Sequence, residues 1–447
     1  MSQRKVILVI VISALMIIGS YLPDASRTSS SPASSEPSIN IDASAPGFGM
    51  KSTNELIVFW KERFERDPRD YISLTYLAES HIRKGRETGD VSEYQKAEAI
   101  LRKSLKINAS YQPTLAYLSA ALFVQHDFSG ALELANRVYN AEPRALQALA
   151  TIGDAQLELG HYAEAEIAYE KLSEKSPSAP VYTRLARLAW LHGKPTEALS
   201  WMQRAVDDSD EMALAGENSA WYHFQLGELY FNTGQLVQAD AQYTAALKAF
   251  DNYYLALAGL GKVRAAQGSY DEAITYYEQA INTVPQPEFL AALGDLYVLT
   301  DQPDSAQIQY KTVEYIGKLA ALNKQVYNRQ LANFYSDHDR NLDEALQLAL
   351  AELESRQDIY GYDAAAWAYY KNGKYSEAQT LIERAMTLGM RDARLYYHAG
   401  RIALALGNNE EALQLLNEAL TINPYFSILQ AEDARNVLKT LQSAHAG

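Results

Sequence analysis

The sequence predicts an all-α solenoid of stacked helix-turn-helix units, and three observations carry that prediction. A ladder of alanines, Ala97, Ala131, Ala165, Ala198, Ala239, Ala273, Ala306, Ala345, Ala378 and Ala412, stands at steps of 34, 34, 33, 41, 34, 33, 39, 33 and 34 residues. A period near 34 held over many units is the signature of a helical repeat array. Glycines Gly160, Gly193, Gly234, Gly268, Gly373 and Gly407 recur where the first helix of a unit must stop, the usual place for a left-handed cap. Prolines Pro143, Pro177, Pro285 and Pro424 each fall 12 residues after a ladder alanine and end the second helix, because proline disfavours helix in the residue before it. One such unit cannot bury its apolar face alone, so neighbours stack and bury it for one another.

The elements follow in order. Arg4 and Lys5 precede an uncharged apolar run, Val6 to Gly19. Residues 1–23 therefore read as a secretory signal or an N-terminal membrane anchor. The run is short of the roughly 20 residues of a full span, and the positive charge before it orients the bulk of the chain outward. Residues 24–50 are rich in Ser, Pro and Ala without an apolar period and read as a disordered linker. The solenoid occupies 51–447, with repeats over about 71–424. Residues 53–66 form an amphipathic helix with Ile57, Trp60 and Phe64 on one face, a half-unit that caps the front. The first full unit carries an insertion, Arg86 to Ser92, in its inter-helix turn. The 41-residue step predicts an acidic loop from Asp207 to Ser219, and the 39-residue step a lengthened second helix from Thr312 through Gly317 toward Lys324. The units around Ala306 and Ala345 have Asp301 and Asp339 where the turn glycine belongs, the latter with an extra residue before Leu342. Residues 427–442 place Leu429, Ala434, Leu438 and Leu441 on one side, a terminal cap of the kind that exposed solenoid ends require.

Within the units the surroundings repeat. Gly153 precedes Gly160, Tyr162, Ala165, Tyr169 and Pro177; Leu260 and Gly261 precede Gly268, Tyr270, Ala273, Tyr277, Ala280 and Pro285; Gly400 precedes Gly407, Ala412, Leu416, Ala419 and Pro424. This pattern resembles the tetratricopeptide repeat, and the resemblance covers residues 71–424. It implies a right-handed superhelical solenoid of about ten repeats with capping helices. The small residues of helix A, Gly153, Ala186, Gly227, Gly261, Gly294 and Gly400, are expected against the small residue of helix B, where larger groups would overpack. The resemblance also implies a concave groove that takes a protein or peptide. By register, helix A turns Phe123, Asp154, Arg187, Trp190, Phe224, Glu228, Phe231, Lys262, Asp295, Trp367, Tyr370, Tyr397 and Arg401 toward it. Aromatic and Arg anchors suit partner capture, so Phe123, Trp190, Phe224, Phe231, Trp367, Tyr370, Tyr397 and Arg401 are the candidate contacts. The Lys and Asn set with which chaperone-binding members of this family grip a C-terminal carboxylate is absent, with Ala116, Ala120 and Thr151 in those places.

Composition narrows the function. There is no Cys, hence no disulfide, Cys metal site or thiol nucleophile. Net charge is −15, and residues 1–50 sum to zero, so the repeats carry the acidic excess. Nucleic acid and anionic lipid need a basic footprint, and no nucleic-acid partner is expected. The eight histidines are spaced by whole units, not by the three or four residues that place two ligands on one helix face, so no metal is expected. Asp207, Asp208, Asp210, Glu211 and Glu217 lack the acid spacing and central Gly of a calcium loop. No phosphate-binding Gly loop or nucleophile elbow occurs, and many of the 31 tyrosines fall at packing positions, Tyr162, Tyr169, Tyr243, Tyr277 and Tyr310 among them. The reading is a non-catalytic interaction scaffold of the cell envelope, without cofactor. It would be extracytoplasmic, tethered by the N-terminal segment or secreted, and would touch membrane only through that segment. The alternative is a substrate-holding or assembly subunit of an envelope export or glycosyl-transfer system.

Overall fold

A computed structural model describes residues 52–446 apart from 89, 213–215 and 323–327. The export segment and linker expected over residues 1–50 lie outside the described residues. All regular structure among the described residues is helical. A leading helix, α1(Thr53–Arg66), is followed by ten helix pairs: α2(Tyr71–Thr88) with α3(Val91–Ile107), α4(Gln112–Val124) with α5(Phe128–Ala141), α6(Leu146–Glu158) with α7(Tyr162–Lys175), α8(Ala179–Leu191) with α9(Pro195–Glu211), and α10(Glu217–Asn232) with α11(Leu236–Ala249). The series continues with α12(Tyr254–Ala266) and α13(Tyr270–Thr283), α14(Pro287–Leu299) and α15(Pro303–Leu322), α16(Asn328–Asp337) and α17(Leu342–Ser355), α18(Ile359–Lys371) and α19(Tyr375–Ala385), and α20(Ala393–Ala405) and α21(Asn409–Ile422), before α22(Gln430–Ala446). The chain divides into two compact units, one ending at Ile152 and one starting at Gly153.

Local chemistry explains the helix ends. Ser52 and Glu55 form a capping box at the start of α1: the Ser52 amide donates to Glu55 Oε2 at 2.6 Å and the Glu55 amide donates to Ser52 Oγ at 3.3 Å. Such a box satisfies two orphan amides at once. Proline stands in the first two positions of α4, α8, α9 and α14, where its missing N–H costs nothing. The inter-helix turns need one left-handed residue. Gly160 takes φ 79° and Gly193 φ 68°, while His126 at 63°, Asp301 at 56° and Asp339 at 50° do the same work in units without the glycine. The extra residue before Leu342 is Asn341, also left-handed at φ 42°. Asn, Asp and His are the residues most able to replace Gly there.

Helix extends into two expected loops from their flanks. The insertion at Arg86–Ser92 lengthens both helices around it, since α2 continues through Thr88 and α3 starts at Val91. The acidic stretch extends α9 through Glu211, and the Asp208 carboxylate accepts from the Ala179 amide at the start of α8 at 2.6 Å. The long step at Ala306 does hold a lengthened helix, the 20-residue α15.

The ladder alanines are all buried, but the helix A glycines meet a different partner from the one expected. A Cβ on Gly153 would stand 2.5 Å from the Tyr169 ring; on Gly227, 2.6 Å from Tyr243; on Gly261, 2.9 Å from Tyr277; on Gly294, 2.3 Å from Tyr310; on Gly400, 2.7 Å from Leu416. Each of these large residues lies four positions after its ladder alanine, one turn along helix B. The glycine is a socket for a large side chain, a tyrosine ring in four of the five, not a point of backbone-to-backbone approach. Where helix A carries Ala186 instead, the facing position holds Met202, a narrower and more flexible side chain.

Candidate partner-binding surface

Successive A helices of the second unit touch one another, as in α10 with α12, α14 with α16, α16 with α18 and α18 with α20. These A helices form a wall against which the B helices pack. Of the residues that follow the socket glycines, three are acids tied to the ring that fills the socket. The Tyr169 hydroxyl donates to Asp154 at 2.9 Å, Tyr243 to Glu228 at 2.7 Å and Tyr310 to Asp295 at 2.7 Å. A cation from the next repeat completes each set. Arg184 grips Asp154 with two bonds of 2.8 and 2.7 Å, Lys262 reaches Glu228 at 2.7 Å, and His338 Nε2 reaches Asp295 at 2.7 Å. Buried carboxylates are tolerable only when paired in this way. Burial, and the carboxylate each one faces, push the Tyr169, Tyr243 and Tyr310 hydroxyls far above their ordinary range. Burial alone would lower the His338 pKa, yet the Asp295 carboxylate raises it. The signal for these sets was present in the sequence as an acid after the glycine and a Tyr fifteen residues on, at 154 and 169, 228 and 243, 295 and 310.

The eight candidate contacts divide sharply. In the first unit Phe123 is fully buried, edge-on to Phe128 with centroids 5.2 Å apart. In the second unit Trp190, Phe224, Phe231, Trp367 and Tyr397 are buried too. Phe224 lies against Tyr243 and Tyr253, and the Lys262 ammonium sits 5.4 Å over the Phe231 ring. Trp367 is sandwiched by His398 at 4.1 Å and Tyr370 at 4.7 Å, and its indole N–H donates to Asp337 at 2.8 Å. Asp337 also accepts from Arg394 at 2.6 Å and Gln430 at 2.7 Å. The Tyr397 hydroxyl donates to Asp433 at 2.8 Å. These six were expected to face an open groove; the chain's own side chains cover them. Tyr370 and Arg401 alone of the eight are half-buried. Arg401 pairs with Asp433 and donates to the Tyr370 hydroxyl at 3.1 Å.

A second cluster was not foreseen. Glu158, at the end of α6, is almost fully buried between Arg187 at 2.5 Å and Arg356. Arg356 also meets Asp358 at 2.8 Å, and Asp358 meets Arg329 at 3.3 Å. Burial alone would raise the Glu158 carboxyl, but Arg187 and Arg356 hold it below the usual carboxylate range. Among the described residues no group of three or more His, Asp or Glu stands in metal-ligand geometry, and no helix is long and apolar enough to cross a membrane.

Comparison with known proteins agrees with the repeat architecture. The tetratricopeptide repeat profile matches residues 120–180, 151–213, 224–288 and 364–425. BBSome complex member BBS4 of Bos taurus is 24% identical over 276 residues, 58% of this chain and 50% of that protein. The TPR repeat-containing protein YpiA of Bacillus subtilis is 22% identical over 305 residues, 67% of this chain and 61% of that protein. The chain thus spans only about half to three fifths of the length of these curated relatives. Among solved structures, a tetratricopeptide repeat protein from Parabacteroides merdae aligns with 61% of this chain and 98% of its own at 20% identity and TM-score 0.34. Yeast Tom70 aligns with 88% of this chain and 93% of its own at 13% identity and TM-score 0.39.

Proposed function

We propose, from the premise that this chain belongs to the tetratricopeptide-repeat superfamily, that it is a non-catalytic scaffold binding a protein or peptide along its helix A wall. The observation that supports this reading most directly is the pair Tyr370 and Arg401, the two candidate anchors that keep exposed surface while backed by the rigid Trp367–His398 stack. A rigid aromatic next to a guanidinium is the residue chemistry of interface hot spots. Mixed charge along the same wall, from Glu228 and Lys262 to Asp295 and His338, favours a polypeptide ligand over nucleic acid, which needs a basic surface. The proposed location is the cell envelope, outside the cytoplasmic membrane, on the strength of Arg4, Lys5 and the apolar run from Val6 to Gly19.

The test uses the full chain as bait in envelope extracts, with Tyr370→Ala and Arg401→Gln in parallel. The scaffold reading expects a discrete protein recovered by the wild type and depleted at least fivefold with either variant, while thermal melts stay close. Equal recovery by all three baits, with melts unchanged, would remove these two residues from the interface. Protease added to intact spheroplasts should digest the repeats; protection until lysis would overturn the envelope location.

A further inference from the structure

In a simple solenoid each repeat contacts only its neighbours. The second unit departs from this rule, because its early and late repeats meet along a seam. The Ile359 amide donates to the Tyr162 hydroxyl at 2.8 Å across 197 positions, and Asn423 Nδ2 donates to the Phe231 carbonyl at 2.9 Å across 192. Next to the first of these contacts Glu158 pairs with Arg356. The turn glycines record the closeness of the approach. A Cβ on Gly160 would lie 2.3 Å from the Gln357 carbonyl oxygen, one on Gly193 would lie 2.0 Å from that of Gly389, and one on Gly234 would lie 3.4 Å from Pro424. The turns at Gly268, Gly373 and Gly407 have nothing within 4 Å of that position. All six glycines share φ between 68° and 84°, so they carry the same backbone demand and differ only in what faces them.

We propose that this seam is a reversible clasp. It closes the repeats at α6–α11 onto those at α17–α21, and it opens without unfolding either set. The argument rests on what the seam is made of. Repeat-to-repeat interfaces bury alanine ladders and tyrosine rings, where apolar burial is worth about 25 cal/mol per Å². The seam contacts are two backbone carbonyls and a proline ring against glycines, two hydrogen bonds and the Glu158–Arg356 ion pair, whose members each keep another partner, Arg187 for Glu158 and Asp358 for Arg356. Desolvation of a buried ion pair consumes most of its Coulombic gain. The seam is therefore the interface least able to hold, and local openings are drawn from such low-stability contacts. On the scaffold reading above, the clasp sets how far the helix A wall opens to a partner. Its existence does not depend on that reading, and its test needs no partner.

The test measures amide exchange at Ile359, small-angle scattering and helix content on the full chain. Gly160→Ala and Gly193→Ala place a methyl group in the seam. Asn423→Ala removes the seam bond at its far end, together with the local bond from the Tyr425 amide, and adds no volume. With a clasp, all three raise Ile359 exchange at least tenfold and enlarge the radius of gyration, with helix content unchanged. Gly268→Ala and Gly373→Ala, which share the backbone demand but face open space, leave both readings at wild-type values. The clasp is overturned if Ile359 exchange is unaffected by Asn423→Ala, if the open-turn controls behave like the seam variants, or if every seam variant loses helix content, which would make the seam an integral part of the fold.

Discussion

Gly294→Ala isolates the socket principle. In an ordinary helix interior this change is stabilising by about 1 kcal/mol, since Gly is the poorer helix former. Here the new Cβ would stand 2.3 Å from Tyr310 Cε1, a distance no carbon pair tolerates. The ring is fully engaged: its hydroxyl donates to Asp295 at 2.7 Å, and Asp295 also receives His338. Overpacking a core site costs about 1–3 kcal/mol, and losing a hydrogen bond to a charged group costs about 1.5–3 kcal/mol. Setting the propensity gain against these leaves a net destabilisation of about 1.5–5 kcal/mol. The assay is denaturant unfolding followed by circular dichroism, with amide exchange in α14 as a local readout, because long repeat arrays need not unfold in one step. The molecule supplies its own rescue design, since the repeat with Ala186 carries Met202 in the facing position. Gly294→Ala combined with Tyr310→Met should therefore be less damaging than the sum of the two, with a coupling of about 1 kcal/mol or more. A neutral or stabilising Gly294→Ala, or strict additivity in the double variant, would refute the socket argument.

Three further outcomes follow from the same geometry. Trp367→Ala should destabilise by about 3–5 kcal/mol, as for other fully buried large aromatics, and calorimetry would show it as a lower melting temperature even with no partner present. Alkaline pH should unfold the protein: the folded-state pKa values of Tyr169, Tyr243, Tyr277 and Tyr310 lie above the ordinary value of 10.0, and that of Tyr297 is pushed up to about 12. Their contribution is complete below pH 10 and is lost as the pH rises beyond it, so tyrosinate absorbance and helix loss should rise together; early tyrosinate absorbance with helix retained would count against it. His338 Nδ1 faces the Phe334 carbonyl and Nε2 faces Asp295, both at 2.7 Å, and two acceptors require two N–H donors. Its ring should stay protonated above pH 6.5 in an NMR titration, its stabilisation being complete below the unfolded value and lost as pH rises through the folded one, while Asp295→Asn should bring the pKa below 6.5; an unchanged titration in Asp295→Asn would refute the pairing.

The repeat count and most helix ends were legible because they depend on local chemistry that recurs. A glycine, Asp301 or Asp339 in a turn and a proline just after helix B each act within a few residues, and the period multiplies a weak signal. The register correctly placed the small residue of helix A but misread what fills it. Ala165 and Tyr169 lie on adjacent turns of the same helix face, and only side-chain direction decides which reaches Gly153. The candidate anchors show the same limit. Register says that Trp190, Phe231 and Trp367 point off helix A, but not how closely the next repeat covers them, which depends on the angle between repeats.

That angle also decides the seam, the least legible feature of all. Arg356, Gln357 and Asn423 read as ordinary loop residues after helix B, and nothing near them in sequence mentions Glu158, Gly160 or Phe231. Whether they meet depends on the accumulated rotation of the intervening repeats, each set by its own sockets and by lengthened helices such as α15. A small change of angle per repeat multiplies along the array, so a substitution far from the seam could separate its edges. This links the two levels of the structure. On this account the residues that fill the sockets set the packing angle of their repeats, and the accumulated angle is what leaves Gly160 facing Gln357 and Gly193 facing Gly389. Gly261→Ala, which disturbs the Tyr277 socket in the middle of the unit and touches no seam residue, should on this account raise Ile359 exchange at a distance. Unchanged exchange at Ile359, with the expected loss of stability around α12, would show that the seam holds its place independently of the repeat angles.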